Sequence, residues 1–234
     1  MDSIWKGTGQ VPKLIGLMDN RQILIPFINL NMIGSQYNPE NYQYHQVALG
    51  IESGQPEEYV HGQITTLKSA LIHPILQNLP LDLQTAIKVF RNVRAGLGVV
   101  NVNLGDHRRE NNFVTLQTDD STGRSKLSIN YSPPKAERAN IKRVVKLVKK
   151  CLWQLGCVVP PGTMHIRPMG ASVHYAGTVP MSTEQLPLTA SKECRSHDFD
   201  NLYFVDGTTF PSLPAKNITF ALMSNAVRVA EQAF

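Results

Sequence analysis

Residues 113–156 read FVTLQTDDSTGRSKLSINYSPPKAERANIKRVVKLVKKCLWQLG, and this stretch decides the fold class. Phe113 to Gln117 and Leu127 to Tyr131 alternate as half-buried strands do. Between them, Asp119-Asp120-Ser121-Thr122-Gly123 is turn chemistry, so the pair predicts a hairpin. After Pro133-Pro134 the period changes. Ile141, Val144, Val145, Val148, Cys151, Leu152 and Leu155 recur at three- and four-residue spacing, which predicts a helix over 136–155 closed by Gly156. A hairpin followed by an amphipathic helix implies an α+β fold, an antiparallel sheet with flanking helices.

Working outward, Val47 to Ile51 and Tyr59 to Leu67 read as two further strands around a turn at 54–58, and 82–93 reads as a helix. Residues 1–45 read as irregular, their apolar run from Ile23 to Leu30 being interrupted by Pro26 and Asn29. Residues 165–217 are rich in Gly, Pro, Ser and Thr, with one short apolar strand expected at Leu202 to Val205, and a helix of about Thr219 to Gln232 follows. Long ordered loops of this kind often carry function.

Composition narrows the function classes. The chain has 234 residues, 42% hydrophobic and 18% charged, which is enough apolar material for a sizeable core. The net charge of +5 is modest, and its densest cluster (Lys142, Arg143, Lys146, Lys149, Lys150) has the spacing of one solvated helix face. No nucleic-acid partner is expected. Three cysteines without CxxC spacing and seven scattered histidines predict neither a disulfide framework nor a metal site. Neither a secretory leader nor a membrane-spanning run is found, so a soluble, cytoplasmic protein is expected.

Three segments carry the chemistry: VHYAGTVPM (173–181), DNLYFVDGTTFP (200–211) and SLPAKNITFALMSNAVRVAEQ (212–232). In order and spacing they resemble the carboxy-terminal signature of the glucose–methanol–choline oxidoreductases, FAD enzymes that oxidise alcohols. The resemblance covers 113–234 well and the earlier part loosely. It implies residues 1–164 as a substrate-binding domain with an irregular start, and 165–234 as a catalytic segment that completes an FAD-binding domain.

By that resemblance His174 is the general base, and a neutral imidazole with a pKa near about 6.5 suits a proton transfer at neutral pH. Its structural alternative is a partly buried histidine that packs. Asn217 stands where the family has His or Asn; its amide can hydrogen-bond the substrate oxygen, and it can equally cap the helix behind it. The backbone N–H groups of Ile218 and Thr219, at the helix start, are candidate donors to the flavin. Asp206 and Gly207 match the pair that the family places against the FAD ribityl and diphosphate, or they form a plain strand-end turn.

The sequence holds no GxGxxG turn for a dinucleotide pyrophosphate; Gly7-Thr8-Gly9 and Gly96-Leu97-Gly98 lack the third glycine. The resemblance therefore implies a partner, an FAD-binding half encoded elsewhere, besides an alcohol substrate. The alternative is a truncated, inactive remnant or a partner-binding domain.

Overall fold

The structure is a computed structural model, and it describes residues 13–38, 40, 44–52, 54, 58–66, 81–119 and 121–233. The expectations for residues 1–12, for most of the 54–58 turn and for Leu67 lie outside these. The strands are β1 (Leu14–Ile15), β2 (Met18–Asp19), β3 (Arg21–Asn29), β4 (Tyr44–Ile51) and β5 (Val60–Thr66). Helix α1 (Leu83–Val93) follows, then β6 (Leu97–Leu104), β7 (Asp106–His107), β8 (Phe113–Thr118) and β9 (Ser125–Asn130). Helix α2 (Glu137–Gln154) leads to the short strands β10 (Cys157–Val158), β11 (His165–Ile166), β12 (Tyr175–Ala176) and β13 (Ser212–Leu213), and α3 (Thr219–Ala233) ends the described chain. This is the α+β class that the hairpin and helix periods predict.

The chain forms two compact units, one of residues 1–21, 104–134 and 169–234, the other of 22–103 and 135–168. The second unit is built on a sheet of order β10-β3-β6-β5-β4, with β11 also paired to β3. Ile23, Ile25 and Phe27 of β3 and Val100 and Val102 of β6 are buried at alternate positions, as one face of a pleated strand requires. Helix α2 buries Ile141, Val144, Val145, Val148 and Leu152, and each such side chain contributes about 1.5–3 kcal/mol. The six basic residues of α2 are all exposed, which fits a solvated face. Gly156, at φ +74°, ends the helix in the left-handed conformation expected of a C-terminal glycine.

Two sequence expectations are corrected here. Residues 1–45 are not irregular throughout, because β3 is a nine-residue strand inside the sheet. Its proline is accommodated by the neighbouring strands: β11 pairs at Ile23 and Leu24 and β10 at Ile28 and Asn29. Pro26 falls in the interval between them, where β3 is locally an edge and no N–H is required. Leu202 to Val205 forms no strand beyond an isolated bridge from Tyr203 to Arg195. Its apolar character is explained by Phe204, which packs on a small core of Leu14, Val179 and Ala190.

In the first unit, β8 and β9 pair antiparallel from Phe113↔Asn130 to Thr118↔Ser125. The Asp119 carboxylate accepts the Ser121 N–H at 2.9 Å to close the predicted turn. The short strands of this unit pair with distant ones: β1 with β8, β2 with β12 and β7 with β13. Met18, Ala176, Leu213 and Ile218 make a core there, with Phe210 and Leu222 packed against it.

Candidate active site

That core holds the three motif segments together, since Ala176 comes from the first, Phe210 from the second and Leu213 and Ile218 from the third. Backbone bonds zip the first two side by side. Gly177 N–H donates to the Gly207 carbonyl at 3.0 Å, Val179 to Thr208 at 2.9 Å and Met181 to Thr209 at 2.9 Å. Gly207 is needed for this approach, because a Cβ there would lie 2.5 Å from the Tyr175 carbonyl oxygen. Gly207→Ala is expected to cost about 1–3 kcal/mol, the range for overpacking, as a lowered midpoint in urea unfolding; an unchanged midpoint would show that the two strips can part freely.

Asp206 opens a 3-10 turn over Gly207–Thr209, and its carboxylate accepts the Thr208 N–H at 3.0 Å. The pair thus starts a turn of its own instead of ending a strand. The Asp206 carboxylate is exposed while Gly207 is buried.

Asn217 is exposed. The Ile218 carbonyl accepts the Leu222 N–H at 2.9 Å, which makes Ile218 the N-cap and sets Asn217 one residue before the cap, two before the first residue of α3. The capping alternative for the Asn217 side chain is therefore not what the structure has. Ile218 buries its side chain in the core, whereas Thr219 is exposed at the helix start, where the first N–H groups have no partner within the helix.

His174 is half-buried, and its Nδ1 lies 3.1 Å from Asn20 Oδ1. Burial lowers its pKa from the usual histidine value, and the nearby Asp19 carboxylate opposes that shift. The backbone leading into it is held tightly. His174 N–H donates to Ser172 Oγ at 3.0 Å, and the Ser172 hydroxyl in turn donates to Asp19. Gly170 N–H donates to the other Asp19 oxygen at 2.5 Å. Val173 between them has φ +57°, an outlier for a β-branched residue, so these bonds hold the loop against backbone strain. Burial raises the Asp19 pKa, and the bonds from Ser172 and Gly170 work against that.

Asp19 is itself placed by Asp106, whose Oδ2 accepts the Asp19 N–H at 3.1 Å and the Tyr131 hydroxyl at 2.6 Å. Its Oδ1 takes the Arg109 guanidinium at 2.6 Å. Asn20 donates its Nδ2 to the carbonyls of Leu104 and Pro214, at 3.0 and 3.1 Å, and so ties the His174 loop to the segment that leads to Asn217. Asp19, Asn20 and Asp106 escape sequence reasoning, since each is a lone polar residue outside any motif. Their partners lie up to 154 positions away.

The arrangement is thus a half-buried imidazole, an exposed amide and an exposed helix start, hung on one apolar core by three convergent segments. Among the described residues no cluster of His, Cys, Asp and Glu could hold a metal ion. No helix there is long and apolar enough to cross a membrane. No curated protein matches the chain. Among solved structures, pyridoxine 4-oxidase from Mesorbium loti superposes with a TM-score of 0.57 at 16% identity, covering 99% of this chain and 46% of that one. The likeness is one of fold, and the chain spans about half the length of that relative. The family model of the GMC oxidoreductases, in its carboxy-terminal part, matches residues 108–226, a span that takes in every bond described above between the three motif segments, and the chain belongs to that family.

Proposed function

We propose that this chain is the carboxy-terminal part of an FAD-dependent oxidoreductase acting on the CH–OH group of an alcohol, with His174 as general base. The observation that supports this best is the hydrogen-bonded setting of His174: a half-buried imidazole, its pKa lowered by burial, on a loop fixed through Ser172, Asp19 and Asn20. In this reading the imidazole takes the hydroxyl proton, and a positioned base typically contributes about 10²–10⁴-fold. Asn217 donates its amide N–H to the alcohol oxygen as negative charge gathers there.

The donor set fits one end of a flavin. The exposed first turn of α3 offers N–H groups and favours negative charge, so Ile218 and Thr219 would hold the ring through their backbone, with Asp206 and Gly207 toward the ribityl chain. The chemistry that FAD would supply there is that of a hydride acceptor for the carbinol carbon. Residues 1–164 would shape the alcohol pocket and 165–234 would complete the flavin domain.

An FAD-binding half would bring the pyrophosphate site. In support of such a partner, Phe220, Met223 and Val227 of α3 are 83%, 60% and 57% exposed. They stand at i, i+3 and i+7, one uncovered apolar stripe of the kind that marks an interaction surface. The same stripe also suits the second reading, a partner-binding module without activity of its own. We place the protein in the cytoplasm, in keeping with three free cysteines.

Co-expression with a GxGxxG-bearing half of a GMC oxidoreductase separates the two readings. A yellow complex that oxidises alcohols, with no flavin retained by the chain alone, is the expected result. A stable complex that is colourless and inactive would leave only the binding module.

A further inference from the structure

Asn20, at the junction of β2 and β3, is 2% exposed. Its Nδ2 carries two hydrogens, and the Leu104 and Pro214 carbonyls take both, at 3.0 and 3.1 Å. This fixes which way the amide points. The flipped amide would set Oδ1 against two carbonyl oxygens, acceptor against acceptor, inside the protein. Oδ1 therefore faces His174 Nδ1, 3.1 Å away. An amide oxygen has no hydrogen to give, so the hydrogen of this bond sits on the ring nitrogen.

We infer that Asn20 is a positioning residue that locks His174 in the Nδ1–H tautomer and leaves the Nε2 lone pair as the proton acceptor. The inference rests on the reading of His174 as base for its meaning, while the tautomer itself is a property of the folded chain and is measurable without turnover. The neutral amide also explains a choice of partner. A carboxylate against Nδ1 would favour the imidazolium, whereas an amide orients the ring without holding a charge on it. The nearby carboxylate, Asp19, has its two oxygens engaged by Gly170 and Ser172 instead.

The test is a long-range ¹H–¹⁵N correlation spectrum of the full chain at a pH where the ring is neutral, with the His174 signals identified by their loss in His174→Gln. Wild type is expected to show a protonated Nδ1 and a bare Nε2; a protonated Nε2 overturns the inference, whatever any variant does. In Asn20→Ala the Nδ1 proton signal should be lost in favour of the Nε2–H form that free imidazole prefers. Retention of the wild-type tautomer in Asn20→Ala would remove Asn20 as its cause. In the flavin-loaded complex Asn20→Ala should lower kcat by tenfold or more with the flavin spectrum unchanged. A bare Nε2 in wild type together with full turnover in His174→Ala would sink the base and leave the tautomer assignment standing.

Discussion

His174→Ala, in the complex that carries FAD, is expected to lower kcat by about 10²–10⁴-fold, the usual worth of a positioned base, with flavin retention intact. The expectation follows from what the side chain does and does not hold. Its ring bonds to Asn20, while the loop itself is fixed through backbone and Ser172 bonds that alanine preserves. An unchanged kcat would remove His174 as the base. The pH profile gives a second readout. Because burial lowers the His174 pKa, the acid limb of kcat/KM should fall below the usual histidine value of about 6.5. The sign for stability follows from the same shift. As pH drops through about 6.5 the unfolded chain takes up the proton first, so the contribution of His174 is fully present above that value and is lost as pH falls through its folded pKa.

Asp106→Ala should have the largest effect on stability, a loss of about 3–5 kcal/mol in urea unfolding, the range for removing one partner of a buried pair. The Asp106 side chain is 3% exposed and that of Arg109 23%, so the guanidinium would be left largely desolvated without its counter-charge. The carboxylate also accepts the His107 N–H at 2.9 Å, the Asp19 N–H at 3.1 Å and the Tyr131 hydroxyl at 2.6 Å. Burial first, and then the bond to Asp106, push the Tyr131 pKa well above the usual range, which keeps the hydroxyl a donor. Truncation would strand all of these donors at once. A loss below about 1 kcal/mol would reduce the pair to an ordinary surface ion pair. Since Asp106 holds Asp19, and Asp19 holds the loop before His174, the same variant should also broaden the His174 ring signals.

The two glycines of the motifs show why their segments are so recognisable. Gly207 makes room for the Tyr175 carbonyl, and Gly177, at φ +89°, makes room for the Gly16 carbonyl oxygen, which a Cβ would approach to 2.7 Å. Both glycines are explained by close approach of neighbouring backbone, and the flavin contacts expected of Asp206 and Gly207 would come in addition to that packing.

Sequence by itself determined the parts whose physics is local. The face of α2 follows from a 3.6-residue period, the β8–β9 hairpin from alternation and an Asp119 turn, and α3 from its apolar spacing. The three motif segments were legible because their residues are close together in the chain. Tertiary structure alone decided what holds those segments in place. Strand β3 was obscured by Pro26, tolerated only because β10 and β11 leave a gap beside it. Asp19, Asn20 and Asp106 carry no local signal, because a single polar residue acquires a role only from what it faces once buried. Asn20 meets Leu104 across 84 positions and His174 across 154, and an unpaired amide there would cost more than the bonds return. The sequence marks His174 as the residue to watch; the fold determines that its Nδ1 faces the Asn20 amide.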